Sequence, residues 1–347
     1  MKDISLALVG FGNVGKALAR ILLRKRELLE REYGLRFKVT GIATARHGMA
    51  INIDGIDLEQ TLALLEAGEA VDSLSVCAAP PSVLEFIQVC PADVLFENTP
   101  VNHHTGQPAI DYLSAALKEG MHVITANKGP VVHGYRQLTE LAAAQGKRFM
   151  YESTVMDGAP IFSLFRCALP AMELRGFRGI LNSCTNLLLE RMEQGEPFDQ
   201  AVAYAQSIGI AETDPSADID GWDAAIKVAA LVSVLMGIPT LPQQVDREGI
   251  GSLTPEMIAE AKQAGERWKL VCSALREGNQ VLCRVAPQRA SALSPLYSIS
   301  GTSSYVQFES DVLPGLGIVE SNPGPETTAY GLLADLINVY RENSANQ

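Results

Sequence analysis

Residues 6–19, Leu6-Ala7-Leu8-Val9-Gly10-Phe11-Gly12-Asn13-Val14-Gly15-Lys16-Ala17-Leu18-Ala19, run from an apolar strand-like segment through a glycine turn into a helical pattern. Gly10, Gly12 and Gly15 have GxGxxG spacing directly after the strand and at the mouth of the helix. Glycines in that register permit a tight turn, let the backbone approach a pyrophosphate and let helix pack close to strand. The first N–H groups of such a helix face the phosphates. The segment Gly10, Phe11, Gly12, Asn13, Val14 and Gly15 therefore reads as a dinucleotide-binding loop rather than a mere glycine turn.

Outward from this loop, short β-branched runs alternate with amphipathic stretches. Ile4–Val9, Phe37–Ala43, Leu74–Ala78, Ala92–Asn98, His122–Ala126 and Arg148–Ser153 read as strands, and Val14–Tyr33 as the first helix. Such alternation predicts an α/β domain with a doubly wound (Rossmann) sheet. Past residue 155 the rhythm changes. Trp268–Leu275 and Gln280–Val285 read as a hairpin around Arg276-Glu277-Gly278-Asn279, followed by strands Ser304–Glu309 and Leu316–Glu320. Helices are predicted at Asp199–Ile208, Asp223–Met236 and Pro255–Gly265, making an α+β second domain. The expected boundaries are 1–153, 154–321, and a C-terminal helix segment, 322–347, that returns to the dinucleotide-binding domain.

With 347 residues, 47% of them hydrophobic, the chain can bury two cores. Its net charge of −12 and lack of a basic run argue against a nucleic-acid partner. No apolar stretch is long enough to span a bilayer, and the N-terminus runs directly into a strand pattern, so a soluble, cytoplasmic protein without a membrane partner is expected. Six cysteines without CxxC spacing read as reduced core residues, and His103-His104 as solvated loop residues.

The end of the second strand, Gly41-Ile42-Ala43-Thr44-Ala45-Arg46-His47, carries no carboxylate for ribose hydroxyls and has a cation just beyond it. This favours NADP over NAD, with Arg46 and His47 either pairing with a 2′-phosphate or remaining solvated. Asn98-Thr99-Pro100 ends another strand, with polar groups suited to a nicotinamide pocket, and Lys128 sits in a loop at the binding edge of the sheet. Five carboxylates (Glu212, Asp214, Asp218, Asp220 and Asp223) precede Lys227. Asp223 and Lys227, spaced i, i+4, share a helix face, where a lysine beside carboxylates can exchange a proton with a carbonyl oxygen. The plainer alternative makes Asp220-Gly221-Trp222-Asp223 a capping box and Asp214-Pro215 a turn.

Together these segments resemble homoserine dehydrogenase, the family that interconverts aspartate semialdehyde and homoserine. The resemblance covers nearly the whole chain: Gly10–Gly15, Asn98-Thr99-Pro100 with Thr105-Gly106, Thr125–Pro130, Tyr151–Val155, Gly179–Asn182, and Ala211-Glu212 through Lys227. It implies that Lys227 is the general acid/base and Lys128 a second lysine near the reacting carbonyl and the cofactor. It also implies that Glu212, Asp218 and Asp223 hold the substrate's amino and hydroxyl groups. A monovalent cation, sodium or potassium, is implied at Glu152 and the carbonyls of Val155, Asp157 and Ala159. Homodimerisation through the second domain's sheet and a role in threonine and methionine biosynthesis are implied as well.

Three departures stand out. Asn182-Ser183-Cys184-Thr185-Asn186 replaces the usual Asn-Gly-Thr-Thr-Asn, putting Cys184 at a substrate-facing position; the alternatives are a related dehydrogenase acting on another small amino or hydroxy acid and a catalytically silent NAD(P)-sensing protein. Asn322-Pro323-Gly324-Pro325-Glu326-Thr327-Thr328 replaces a glycine-rich run, with Glu326 now beside the cofactor. Met156-Asp157 stands where small residues are usual, adding a carboxylate near the expected cation. No fused kinase and no appended sensing domain are expected, hence no feedback inhibition through such a domain.

Overall fold

Lys2–Val9 forms β1 with its last four residues all buried, and Gly10 turns the chain into α1, Asn13–Tyr33. In the computed structural model, which describes residues 1–341, this strand-turn-helix starts the first of two compact units, Met1–Pro160 with the chain from Gly324 onward. There follow β2 (Leu35–Ala43), β3 (Met49–Ile51), α2 (Leu58–Glu66), α3 (Val83–Val89), β4 (Val94–Glu97), α4 (Ala109–Lys118), β5 (His122–Thr125), α5 (Lys128–His133), α6 (Tyr135–Ala144) and β6 (Phe149–Met150). The sheet order is β3-β2-β1-β4-β5-β6, parallel except for the antiparallel β2–β3 pair. Successive connections therefore diverge from β1 and β4, and the crevice beyond their carboxyl ends is the switch point where doubly wound sheets take ligands.

One expected strand is absent. Val71–Leu74 is a 3-10 turn, and the mostly exposed residues after it form no strand. The sheet edge they would have joined is taken by the β2–β3 hairpin, closed by a bond from Thr44 N to Gly48 O of 3.1 Å. Ser75 instead docks on β3, accepting a hydrogen bond from Ile51 N at 3.0 Å. The segment Arg148–Ser153 is likewise strand only at Phe149–Met150, because Glu152–Thr154 already curls into a 3-10 turn.

The second unit, Ile161–Pro323, contains α7 (Phe162–Cys167), β7 (Leu174–Ile180), α8 (Ser183–Glu193), α9 (Phe198–Ser207), α10 (Ser216–Ile219), α11 (Trp222–Leu235), β8 (Asp246–Arg247), α12 (Pro255–Gln263), β9 (Glu266–Glu277), β10 (Gln280–Ser291), β11 (Ser304–Ser310) and β12 (Leu316–Glu320). Its sheet runs β12-β11-β7-β9-β10-β8, antiparallel apart from the β8 edge. Helix α11 lies on β9 and β10 with Ala224–Ile226 and Val228–Ser233 all buried. An apolar circumference of this kind marks a helix enclosed by its own domain, and its small alanines allow close approach to the sheet.

Helix α13, Pro325–Tyr340, belongs to the first unit, where Ala329, Leu332, Leu333, Leu336 and Val339 join the core formed by β1, β2, β4 and α1. Each fully buried leucine contributes about 1.5–3 kcal/mol. The last positions of the expected C-terminal segment, 342–347, lie outside the described residues. No helix among the described residues is long and apolar enough to cross a membrane. All six cysteines are free, but Cys77 and Cys167 are exposed rather than in the core, Cys77 because its segment forms no strand.

Candidate active site

The glycine loop of the first unit is shaped by backbone contact. Gly10 has φ 85°, and a Cβ there would lie 2.5 Å from the carbonyl carbon of Asn98. At Gly15 a Cβ would lie 2.7 Å from Gly10 O, whereas at Gly12 it would meet nothing within 4 Å. Two glycines thus permit close packing of strand, loop and helix, while the third leaves open space where α1 begins. Phe11 packs inward at 6% exposure, and Asn13 and Val14 form the first turn of α1.

Asn98 lies beside this loop, its N–H bonded to Val9 O at 2.8 Å. Both polar atoms of its side-chain amide are buried without a hydrogen-bond partner among the described residues. Such groups are costly unless a ligand satisfies them, so the amide suits a bound carboxamide or ribose. Thr99 follows, with Pro100 exposed beyond it. The residues suit a dinucleotide, with open backbone at Gly12 and an unsatisfied amide at Asn98.

Lys128, expected in a loop, is instead the first residue of α5, which Asn127 caps by accepting from Gly129 N at 2.9 Å. Arg46 is exposed in the turn Thr44–Gly48, and Asp72 packs against Gly48 and accepts from Met49 N at 2.9 Å. Glu326 pairs with Arg24 at 2.5 Å, and a groove lined also by Asn13, Lys16 and Arg20 opens beside the pair. Glu152 is buried, its N–H bonded to Asp335 Oδ2 at 2.8 Å; Val155 and Ala159 are also buried on the same stretch. Asp157 takes φ 39°, and its carboxylate accepts from Thr327 Oγ1 at 3.0 Å. No cluster of three or more His, Cys, Asp or Glu at metal-ligating distance occurs among the described residues.

The second unit brings two of the five carboxylates, Asp223 directly and Asp218 through Asn182, to one lysine. Lys227 Nζ lies 2.9 Å from Asp223 Oδ2 and donates to Leu181 O at 2.7 Å, with both side chains mostly buried. The capping-box alternative fails here, since the N-cap of α11 is Gly221 at φ 79° with no side-chain cap. Asp214 does make the expected turn, accepting from Ser216 N at 3.0 Å. Glu212 is exposed, with its carbonyl accepting from Gln206.

Asn182 is the residue that the sequence reading left without a role. Its Nδ2 donates to Asp218 Oδ1 at 2.6 Å and to Asp223 Oδ2 at 2.9 Å, while its Oδ1 caps α8 by accepting from Thr185 N at 2.8 Å. One amide thus orients two carboxylates and starts a helix. Cys184 lies alongside, its thiol held strongly in the neutral form by burial and then by the nearby Asp218 and Asp223 carboxylates. It is a weak donor here, not a nucleophile.

The two halves correspond to two matching family models. Residues 10–152 match "Homoserine dehydrogenase, NAD binding domain" and residues 160–337 match "Homoserine dehydrogenase". The chain belongs to the homoserine dehydrogenase family. It is therefore an NAD(P)-dependent oxidoreductase. A homoserine dehydrogenase of Methanocaldococcus jannaschii is 36% identical to it, over 97% of this chain and 98% of the relative. An enzyme of Pseudomonas canavaninivorans, named NAD(+)-dependent homoserine dehydrogenase, is 34% identical over 100% and 99% of the two chains. A hyperthermophilic archaeal homoserine dehydrogenase mutant in complex with NADPH superposes with a TM-score of 0.82 at 27% identity, covering 97% of this chain and 98% of that one.

Proposed function

We propose that this homoserine dehydrogenase interconverts L-homoserine and L-aspartate 4-semialdehyde with Lys227 as the proton-transferring group. The observation that carries this reading is the amine of Lys227, fixed between Leu181 O and Asp223 within the Asn182–Asp218–Asp223 network. A lysine oriented by a carbonyl and a carboxylate stays charged and can donate to a developing alkoxide. Asp218 and Asp223 suit a substrate ammonium or hydroxyl, and Glu212 extends the acidic surface toward solvent. Lys128, in the first unit, is the second lysine of the proposed catalytic set. Bound NAD(P) supplies or takes the hydride.

NADP is the proposed cofactor. Arg46 stands exposed beyond β2, and the carboxylate nearest that turn, Asp72, is engaged by Met49 N. A sodium or potassium ion on Glu152 and the carbonyls of Val155, Asp157 and Ala159 belongs to the same proposal, supported by the burial of Glu152. So do homodimerisation through the second unit's sheet and a cytoplasmic location, the latter fitting six free cysteines.

The test is a spectrophotometric assay at the nicotinamide band with homoserine and NAD or NADP in turn. Homoserine oxidation, with NADP giving the higher kcat/KM, is the expected result. Turnover only with another small amino or hydroxy acid would reassign the substrate and implicate Cys184. A preference for NAD would remove Arg46 from cofactor selection.

A further inference from the structure

Glu97 is the last residue of β4 and is fully buried. A carboxylate taken from water is costly unless hydrogen bonds replace its hydration, so its neighbours explain its presence. Its Oε1 accepts from Thr99 N at 2.8 Å and from the Thr99 hydroxyl. Its Oε2 accepts from Thr125 Oγ1 at 2.7 Å. Thr125 Oγ1 accepts in turn from Asn127 N at 2.9 Å, and Asn127 Nδ2 donates to Thr99 O at 3.2 Å. These bonds close a ring through Glu97, Thr99, Asn127 and Thr125, joining the end of β4 to the end of β5.

The ring encloses what the cofactor reading needs. Asn98 is the residue between Glu97 and Thr99, so the clasp fixes the backbone from which the buried, unpartnered amide projects. Lys128 directly follows Asn127, whose other amide atom caps α5. We propose that Glu97 is a positioning residue, its carboxylate clasp holding the Asn98 amide and the start of the Lys128 helix in one register for the nicotinamide end of the cofactor. The proposal rests on the reading of the first unit as the NAD(P) site. Glu97 is the acceptor in each of its bonds to Thr99 and Thr125, so glutamine can meet the Thr125 oxygen only by donating, which reverses that bond and leaves the Thr125 hydroxyl proton without its acceptor.

Thr125 gives the discriminating test. Thr125→Val keeps the branched shape and removes the hydroxyl; Thr125→Ser keeps the hydroxyl and removes the methyl. If the site needs only packing, serine is the worse replacement; if it needs the clasp, valine is. Dissociation constants of NADPH and NADH are measured by fluorescence titration, that of ADP by calorimetry, and kcat with homoserine. A misplaced carboxamide pocket is expected to lower kcat and nicotinamide-nucleotide affinity by roughly ten-fold or more in Thr125→Val and Glu97→Gln. Thr125→Ser stays within about three-fold, and ADP, which has neither the nicotinamide nor its ribose, binds all variants like the parent. Should Glu97→Gln not fold, the threonine pair decides. Serine as damaging as valine, or valine indistinguishable from the parent, overturns the clasp. A parent that binds neither NADPH nor NADH overturns the cofactor reading itself and the clasp with it.

Discussion

Asp223 and Lys227 meet at 2.9 Å across one turn of α11, and the same carboxylate oxygen of Asp223 also accepts from Asn182. The pair is therefore anchored from two sides: Asp223 by α8's capping amide, Lys227 by Leu181 O. In the proposed proton-transfer role, an ammonium held so firmly presents its proton with little reorganisation.

Replacing Lys227 with alanine is expected to lower kcat by about 10²–10⁴-fold, the range of a positioned acid or base. NADPH affinity should change less than about two-fold, since the proposed role lies in the transition state and not in dinucleotide binding. Steady-state kinetics with a fluorescence titration check both halves; a variant that keeps parental kcat removes Lys227 from proton transfer.

Asn182 separates fold from function. Asn182→Ser retains an N-cap oxygen for α8 but loses the amide donor that orients Asp218 and Asp223, so thermal stability should largely hold while kcat/KM for homoserine falls on the order of 100-fold. Asn182→Ala loses the cap as well, at about 1 kcal/mol, and should melt earlier. If Asn182→Ser retains parental kcat/KM, the amide is no more than a helix cap.

Gly10 and Gly12 should respond in opposite ways to alanine. At Gly10 the left-handed φ and the 2.5 Å approach to Asn98 make alanine a folding defect, visible as a lower melting temperature. At Gly12 alanine meets no protein atom within 4 Å, so the fold should be unaffected. The methyl there occupies space needed by a pyrophosphate, and nucleotide affinity should fall roughly ten-fold, or about 1.4 kcal/mol. Parental NADPH affinity in Gly12→Ala would mean that the phosphates lie elsewhere.

His122 supplies a pH signature in the first unit. Burial, then the nearby Lys147, Arg148 and Lys2 charges, push its pKa down to about 4 against a weaker pull from Asp93. Its Nδ1 accepts from Arg148 N at 3.0 Å, a bond that protonation removes. Because the folded pKa is depressed, the unfolded chain binds the proton first. Stability is fully present above the ordinary value of 6.5 and is lost as pH falls toward 4. Denaturant titrations should show a loss of roughly 1–3 kcal/mol over that window, discounted for partial exposure, and a smaller loss in His122→Phe. An unchanged slope in the variant would assign the acid sensitivity to other groups.

Much of this was legible in the sequence because it is local. The GxGxxG spacing after an apolar run, the β–α alternation and the i, i+4 spacing of Asp223 and Lys227 each sit within one window of chain. The Leu74–Ala78 error arose because a short apolar run does not reveal whether a sheet edge is available, and here the β2–β3 hairpin had taken it. Asn182 escaped notice because a capping asparagine looks the same whether or not its nitrogen reaches carboxylates 36 and 41 positions away. Glu97 was hidden within a strand prediction for a similar reason: beyond Thr99, its clasp is closed by Thr125 of the next strand in the sheet.

The contrast among the cysteines bears on handling the enzyme. Alkylating reagents require thiolate and access, and Cys184 offers neither, being 3% exposed and kept neutral beside two acids. Cys77 and Cys167 are open to solvent. A maleimide dye should therefore decorate the surface and leave turnover intact, giving a labelled enzyme whose chemistry is that of the unlabelled one.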